Sequence, residues 1–213
     1  MQVQAVNDAG NLVFFFFLLA VIALAAAIAY RKLRRLPVRK LVLALTVCAS
    51  AYAVILMAVS FSSKTRQLVL GTDKCFDDWC AAVLGAHSFP GASATDGRKF
   101  VAVELRISNR ARGAAFRPSQ PRVTLLLAAG EELNSSASGQ HEFVKQAGPQ
   151  EDIAKRLVAG ESFQTTIVFE VPSATSNASV QVLEGPSVLT RVLVGDENSF
   201  FHKKSVYPIT GLN

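Results

Sequence analysis

Between residues 31 and 40 the chain reads RKLRRLPVRK, six cations and a proline, and on either side lies a stretch without a single charge. Leu12 to Tyr30 gives 19 such residues and Leu41 to Phe61 gives 21. At about 1.5 Å rise per residue, roughly 20 apolar residues cross about 30 Å of hydrocarbon, so each stretch has the length and composition of a transmembrane helix. A cleaved signal peptide places its cations before the apolar run and small residues after it. Here the order is reversed, because residues 1 to 11 carry only Asp8 and the cations follow. Neither run shows the polar stripe that a helix on a soluble core displays.

Short loops rich in Lys and Arg stay in the cytoplasm. Arg31, Lys32, Arg34, Arg35, Arg39 and Lys40 therefore determine the topology, opposed beyond the second run only by Lys64 and Arg66. Pro37 favours a turn between antiparallel spans. The expectation is a multi-pass cell-membrane protein: a short extracytoplasmic N-terminus (1–11), helices over 12–30 and 41–61, a cytoplasmic loop (31–40), and an extracytoplasmic domain over 62–213. Small residues four apart, Ala23 and Ala27, Ala44 and Cys48, Ala49 and Ala53, have the spacing that lets helices approach closely. No ionisable residue lies inside either run, which argues against a proton relay or transport path and for anchoring helices.

The formal charge of +6 invites a nucleic-acid reading, but the loop alone holds six of the 22 cations. From Ser62 onward 16 Lys and Arg face 15 Asp and Glu, a nearly neutral domain, and nucleic-acid binding is not expected. Its pattern is β. FVAVELRISN, Phe100 to Asn109, alternates, with Val101, Val103, Leu105 and Ile107 on one face and Glu104, Arg106 and Ser108 on the other. FQTTIVFEVP repeats the device, with Phe163, Ile167, Phe169 and Val171 inward and Gln164, Thr166 and Glu170 toward water. Further strands are expected at Trp79 to Leu84, Val123 to Ala128, Val180 to Leu183, Thr190 to Val194 and Lys204 to Pro208. Only Gln150 to Leu157 suggests a short turn of helix, or else a loop. Seven or more strands with Gly- and Ser-rich turns point to an antiparallel sandwich.

Of three cysteines, Cys48 lies in the second span and reads as a packing residue. Cys75 and Cys80 bracket FDDW in the outer domain, where an oxidising compartment favours a disulfide. Free thiols, a redox pair and a metal site are the competing readings. Redox pairs usually enclose two residues rather than four, and zinc would need two more ligands than the neighbourhood offers. His87, His141 and His202 are scattered, and Asp77 and Asp78 are adjacent, so on a strand they would face opposite ways. Nucleophile-elbow, phosphate-loop and HExxH motifs are missing, so no catalytic, cofactor-binding or metal residue is assigned and enzymatic activity is not expected. Asn134-Ser135-Ser136 and Asn177-Ala178-Ser179 fit the glycosylation pattern, which has meaning only in a glycosylating host.

The succession FVAVELRISNRARGAAFRP, VTLLLAAGEEL and LVAGESFQTTIVFEVPSATSNASVQVLEG resembles a family of bacterial and archaeal extracytoplasmic immunoglobulin-like domains of unknown function, related to the secreted mycobacterial immunogen fold. The marks are the strand ending in Asn109, the Gly160-Glu161 turn and the Phe169 to Pro172 strand end. The resemblance spans about Leu68 to Pro208 and implies an immunoglobulin-like sandwich. Members are usually held by a lipoprotein cysteine or a single span, so the two-span hairpin departs from the pattern. Two functions follow as expectations. One is a non-enzymatic interaction or accessory module of the cell envelope, recognising a protein partner through loops such as Phe89 to Arg98 and Gly130 to Gln140 or through a strand edge. The other is a regulatory or assembly subunit whose hairpin packs with a partner membrane protein, or with further copies, while the sandwich senses from outside.

Overall fold

The computed structural model describes residues 2–76, 78–91, 94, 96–185 and 188–212, with side chains from Leu12 onward except at Val188 and Leu189. Two long helices, α1 (Gln2–Leu33) and α2 (Arg39–Ser62), open the chain, both long and apolar enough to cross a membrane. The turn between them has a definite cause. Arg35 takes the left-handed conformation (φ 55°), and the Leu36 amide donates to the Arg31 carbonyl at 2.9 Å, a helix-ending arrangement that Pro37 then makes final. Less exposed positions recur every three to four residues, at Phe14, Phe17, Val21, Leu24 and Ile28 on α1 and at Leu41, Leu45, Cys48, Tyr52 and Leu56 on α2, so each helix has one seam. Large and small side chains share it: of the small residues spaced four apart, Ala27 and Cys48 lie on this side, while Ala23, Ala44, Ala49 and Ala53 are exposed.

The chain divides into two compact units. One consists of the hairpin through residue 65 and the described residues 188–204, and the other is the sandwich, residues 66–185 with 205–212. In the sandwich, β1 (Lys74–Phe76), β2 (Trp79–Phe89), β3 (Arg98–Asn109) and β6 (Ser162–Pro172) form one antiparallel sheet in that order. β4 (Arg122–Leu127), β5 (Glu132–Leu133), β7 (Asn177–Leu183) and β8 (Tyr207–Thr210) form the other, ordered β5-β4-β7-β8. Val101, Val103, Leu105 and Ile107 of β3 and Phe169 and Val171 of β6 are buried between the sheets with Leu125, Val180, Val182 and Tyr207, as the alternation predicts. The marks of the family resemblance have structural work here. The Asn109 side chain donates to the carbonyls of Ala114 (2.9 Å) and Leu157 (3.0 Å) and ends β3, and Gly160 supplies the left-handed residue (φ 80°) of the turn into β6.

Four expectations need correction. The segment Thr190 to Val194 is not a strand: Val188–Val192 is a short helix, α4, and Val194 is buried against Tyr52 and Leu56 of α2 instead of a sheet neighbour. The last strand begins at Tyr207 rather than Lys204. Of the two readings of Gln150 to Leu157, the loop holds, with a turn at Ile153 and Ala154. The sandwich's helix is α3 (Ala137–Ala147), which takes up the end of the supposed loop Gly130 to Gln140 and is capped by Ser136, whose hydroxyl accepts the Gly139 amide at 3.1 Å. Through α3, Thr166 is buried rather than turned to water, and Phe89, Phe100, Ala102 and Val168 form a second apolar cluster on the outer face of the sheet.

Candidate functional site

Of the sequence-assigned residues, the structure brings together the cysteines and the six cations. Cys75 and Cys80 face each other across the β1–β2 ladder with Cα atoms 3.9 Å apart and sulfurs at bonding distance, 1.98 Å. The hairpin around them is held from several sides. Phe76 and Trp79 stack with centroids 4.6 Å apart, the Trp79 Nε1 donates to Glu184 at 2.9 Å, and the buried Lys74 donates to the Val182 carbonyl at 3.0 Å. Asp73 lies between Arg106, at 2.9 Å, and Arg110. Burial pushes the Asp73 carboxyl up, but hydrogen bonds from the two guanidinium groups outweigh it and hold the group below the usual carboxylate range. A carboxyl depressed in this way stabilises the fold above its unfolded pKa, and that contribution is lost as pH falls through the folded one.

In the turn between the helices, Arg31 and Lys32 occupy the last turn of α1, Arg34 and Arg35 the turn itself, and Arg39 and Lys40 the first turn of α2. The histidines do not converge. His87 faces Glu104 at 3.5 Å with both side chains half-exposed, His141 is exposed on α3, and His202 stands beside the Lys203 carbonyl at 3.0 Å. Among the described residues no three His, Cys, Asp or Glu side chains come together as a metal site. Asp77 and part of the loop Phe89 to Arg98 lie outside the described residues, while Asp78 accepts the Arg110 amide on its carbonyl at 2.7 Å.

The cysteines give a direct expectation. Unfolded without reductant, the chain should take up alkylating reagent at Cys48 alone, and after reduction at all three cysteines. Closing so short a loop contributes about 2 kcal/mol in the chain-entropy estimate, so reduction should lower the denaturation midpoint of the sandwich. Three alkylated cysteines without reductant would refute the bond.

A second constellation escaped the sequence reading. Tyr52, Leu56 and Ser60, four residues apart on α2, form a buried stripe. The Tyr52 ring stacks on Phe17 with centroids 4.0 Å apart, and its hydroxyl donates to the Val192 carbonyl at 2.5 Å. Ser60 meets Ser199 at 3.4 Å, the Ser63 hydroxyl accepts the Lys203 amide at 2.9 Å, and Phe61 stacks on Phe201 at 5.1 Å. The available signal was a tyrosine and a serine in one face of an otherwise apolar span.

The sheet edges differ in how they are closed. On β6 the Gln140 side chain donates to the Thr166 carbonyl (3.0 Å) and accepts the Val168 amide (3.1 Å), while the Ser136 amide donates to the Val168 carbonyl (2.7 Å), so α3 occupies the edge as a neighbouring strand would. On β2 the short β1 pairs only Trp79 to Ala81, and among the described residues no strand lies beside Leu84 to His87 on the side away from β3.

No family model matches the chain, and no curated protein matches it. Solved structures are similar at low identity. A conserved hypothetical protein from Bacillus anthracis is 17% identical over 57% of this chain and 93% of its own, with a TM-score of 0.44. The secreted protein MPT63 from Mycobacterium tuberculosis is 13% identical over 68% of this chain and 98% of its own, TM-score 0.42. An uncharacterized β-sandwich protein from Clostridium difficile is 12% identical over 70% of this chain and 97% of its own, TM-score 0.40.

Proposed function

We propose that the protein is a membrane-anchored, extracytoplasmic, immunoglobulin-like module that acts by binding a protein of the cell envelope and not by catalysis. The observation that carries the reading is a pair of helices long and apolar enough to span, joined by a six-cation turn and followed by a β-sandwich whose paired cysteines suit an oxidising compartment. The immunoglobulin-like assignment rests on strand order: β3 pairs with β6 in one sheet and β4 with β7 in the other, the Greek-key arrangement of such sandwiches. With β6 closed by α3, the outer side of Leu84 to His87 on β2, beside which no described strand lies, is the edge offered for recognition, since main-chain groups there can extend the sheet with an incoming strand.

In native membranes, a photo-cross-linking residue in place of the exposed His87 should trap one predominant envelope protein, and the same residue in place of Gln164 on β6 should not. Adducts that arise equally from both, or from neither, would count against this edge and this mode of action.

A further inference from the structure

The loop between β7 and β8 does more than connect strands, and its contacts on α2 run in a consistent direction. Phe201 meets Phe61 at the outer end of the apolar run, Ser199 meets Ser60, and Val194 and the Val192 carbonyl reach Leu56 and Tyr52. From Ser60 to Tyr52 is eight residues, about 12 Å along a helix axis. The chain therefore follows α2 inward from its outer end by a large part of one leaflet, whose hydrocarbon half-thickness is about 15 Å.

Backbone that leaves the helix at such depth must satisfy its polar groups within the protein. This segment does so repeatedly. The Phe200 amide donates to Arg191 (3.1 Å), Ser199 to Asp196 (3.0 Å) and His202 to Ser199 (3.2 Å), the Asn198 amide donates to the Asp196 side chain (2.6 Å), and Tyr52 takes the Val192 carbonyl. Meanwhile its aromatic residues are left bare: Phe200 is 47% and Phe201 65% exposed, beside Phe61 at 65%. Lys64 and Lys203, three residues after Phe61 and two after Phe201, are exposed cations. Apolar rings at the end of a spanning helix, flanked in sequence by exposed cations, complement a phospholipid surface, with acyl chains against the rings and phosphates against the cations.

We propose that residues 188–201 form a lipid-inserted element seated on Tyr52 and Ser60, a second point at which the extracytoplasmic chain holds the outer leaflet. The inference rests on the reading of α1 and α2 as transmembrane helices. Its partner is the phospholipid bilayer, and Phe200 and Phe201 are the residues that enter it.

The test uses the full chain in vesicles of phosphatidylcholine and phosphatidylglycerol, with or without lipids brominated on the acyl chains. Trp79, the single native tryptophan, is fully buried in the sandwich and supplies a constant background. Phe16→Trp, at a 65% exposed position of α1, reports on the spanning helices. Phe200→Trp and Phe201→Trp, each a conservative aromatic exchange, report on the segment. The proposal expects brominated lipid to cut the added emission at least twofold at position 16 and at position 200 or 201, with shallow bromines more effective than deep ones at 200 and 201. Quenching at 16 but at neither 200 nor 201 would overturn the inference while leaving the spanning helices in place. Blue-shifted, unquenched emission at 200 and 201 would mean that protein, a second copy or another chain, covers the rings. No quenching at 16 would remove the transmembrane reading and this inference with it.

Discussion

Val103→Asp should leave the sandwich unfolded at room temperature, and Phe169→Asp should do the same. Both side chains are fully buried between the two sheets, Val103 opposite Ile167 and Val101 opposite Phe169 in the β3–β6 ladder. An aspartate at either position strands a carboxylate without a partner and removes the apolar packing. Such changes belong to the small class that costs more than about 4 kcal/mol, against a total domain stability of about 5–15 kcal/mol. Glu104→Lys, one residue along and on the outer face, should shift the melting midpoint little, since it removes only a half-exposed pairing with His87. Circular dichroism melts of the full chain in detergent would read the difference in the β signal. Equal melting of the Val103→Asp and Glu104→Lys proteins would show that the register is wrong.

Thr166→Lys separates what alternation tells from what it hides. Read along β6 alone, Thr166 points to water and lysine is harmless. In the fold Thr166 is buried beneath α3, so lysine there should destabilise, though less than the core aspartates because its long stem can reach solvent. The clue lay in residues of the same phase: Phe100 and Ala102 on β3 and Val168 on β6 are apolar on the face assigned to water. They needed a cover, and the cover is a helix whose first turn contains Gly139. That glycine reads in sequence as a loop signal. Its reason is steric, because a Cβ there would stand 2.6 Å from Val168 Cγ1 and 2.8 Å from Phe100 Cδ1. A close helix-to-sheet approach thus looks, in one dimension, like a flexible connector. Gly85 hid the length of β2 in a similar way, since the register shifts between Val83 and Gly85 and the strand continues to Phe89.

The helical hairpin was legible because its signals are local: a length, an absence of charge and a cluster of cations. The seat of residues 188–201 was not. Its alternation, Thr190, Val192 and Val194, is what an edge strand shows, and the contact that decides otherwise joins Tyr52 to Val192 across 140 positions. Sequence separation of that order leaves no pattern for periodicity to detect.

Replacement of Arg31, Lys32, Arg34 and Arg35 by glutamine should divide the protein between two orientations. Helix energetics offer no competing account of the whole cluster. Cations suit the last turn of α1, but Arg39 and Lys40 sit in the first turn of α2, where the helix dipole disfavours positive charge by about 0.3–1 kcal/mol. On the reading of both helices as spans, their position follows from keeping the turn on the cytoplasmic side. In the native chain six cations in the turn oppose Lys64 and Arg66, and after the four replacements two oppose two. A phosphatase-type reporter that folds only outside the cytoplasm should be active when fused at the C-terminus of the native chain and inactive when inserted after Pro37. In the replaced protein the C-terminal fusion should lose about half of its activity, and the fusion after Pro37 should gain correspondingly. An inactive C-terminal fusion on the native chain would place the sandwich in the cytoplasm. That result would also remove the oxidising environment on which the Cys75–Cys80 bond depends, so alkylation of the same fusion protein provides an independent check of the compartment.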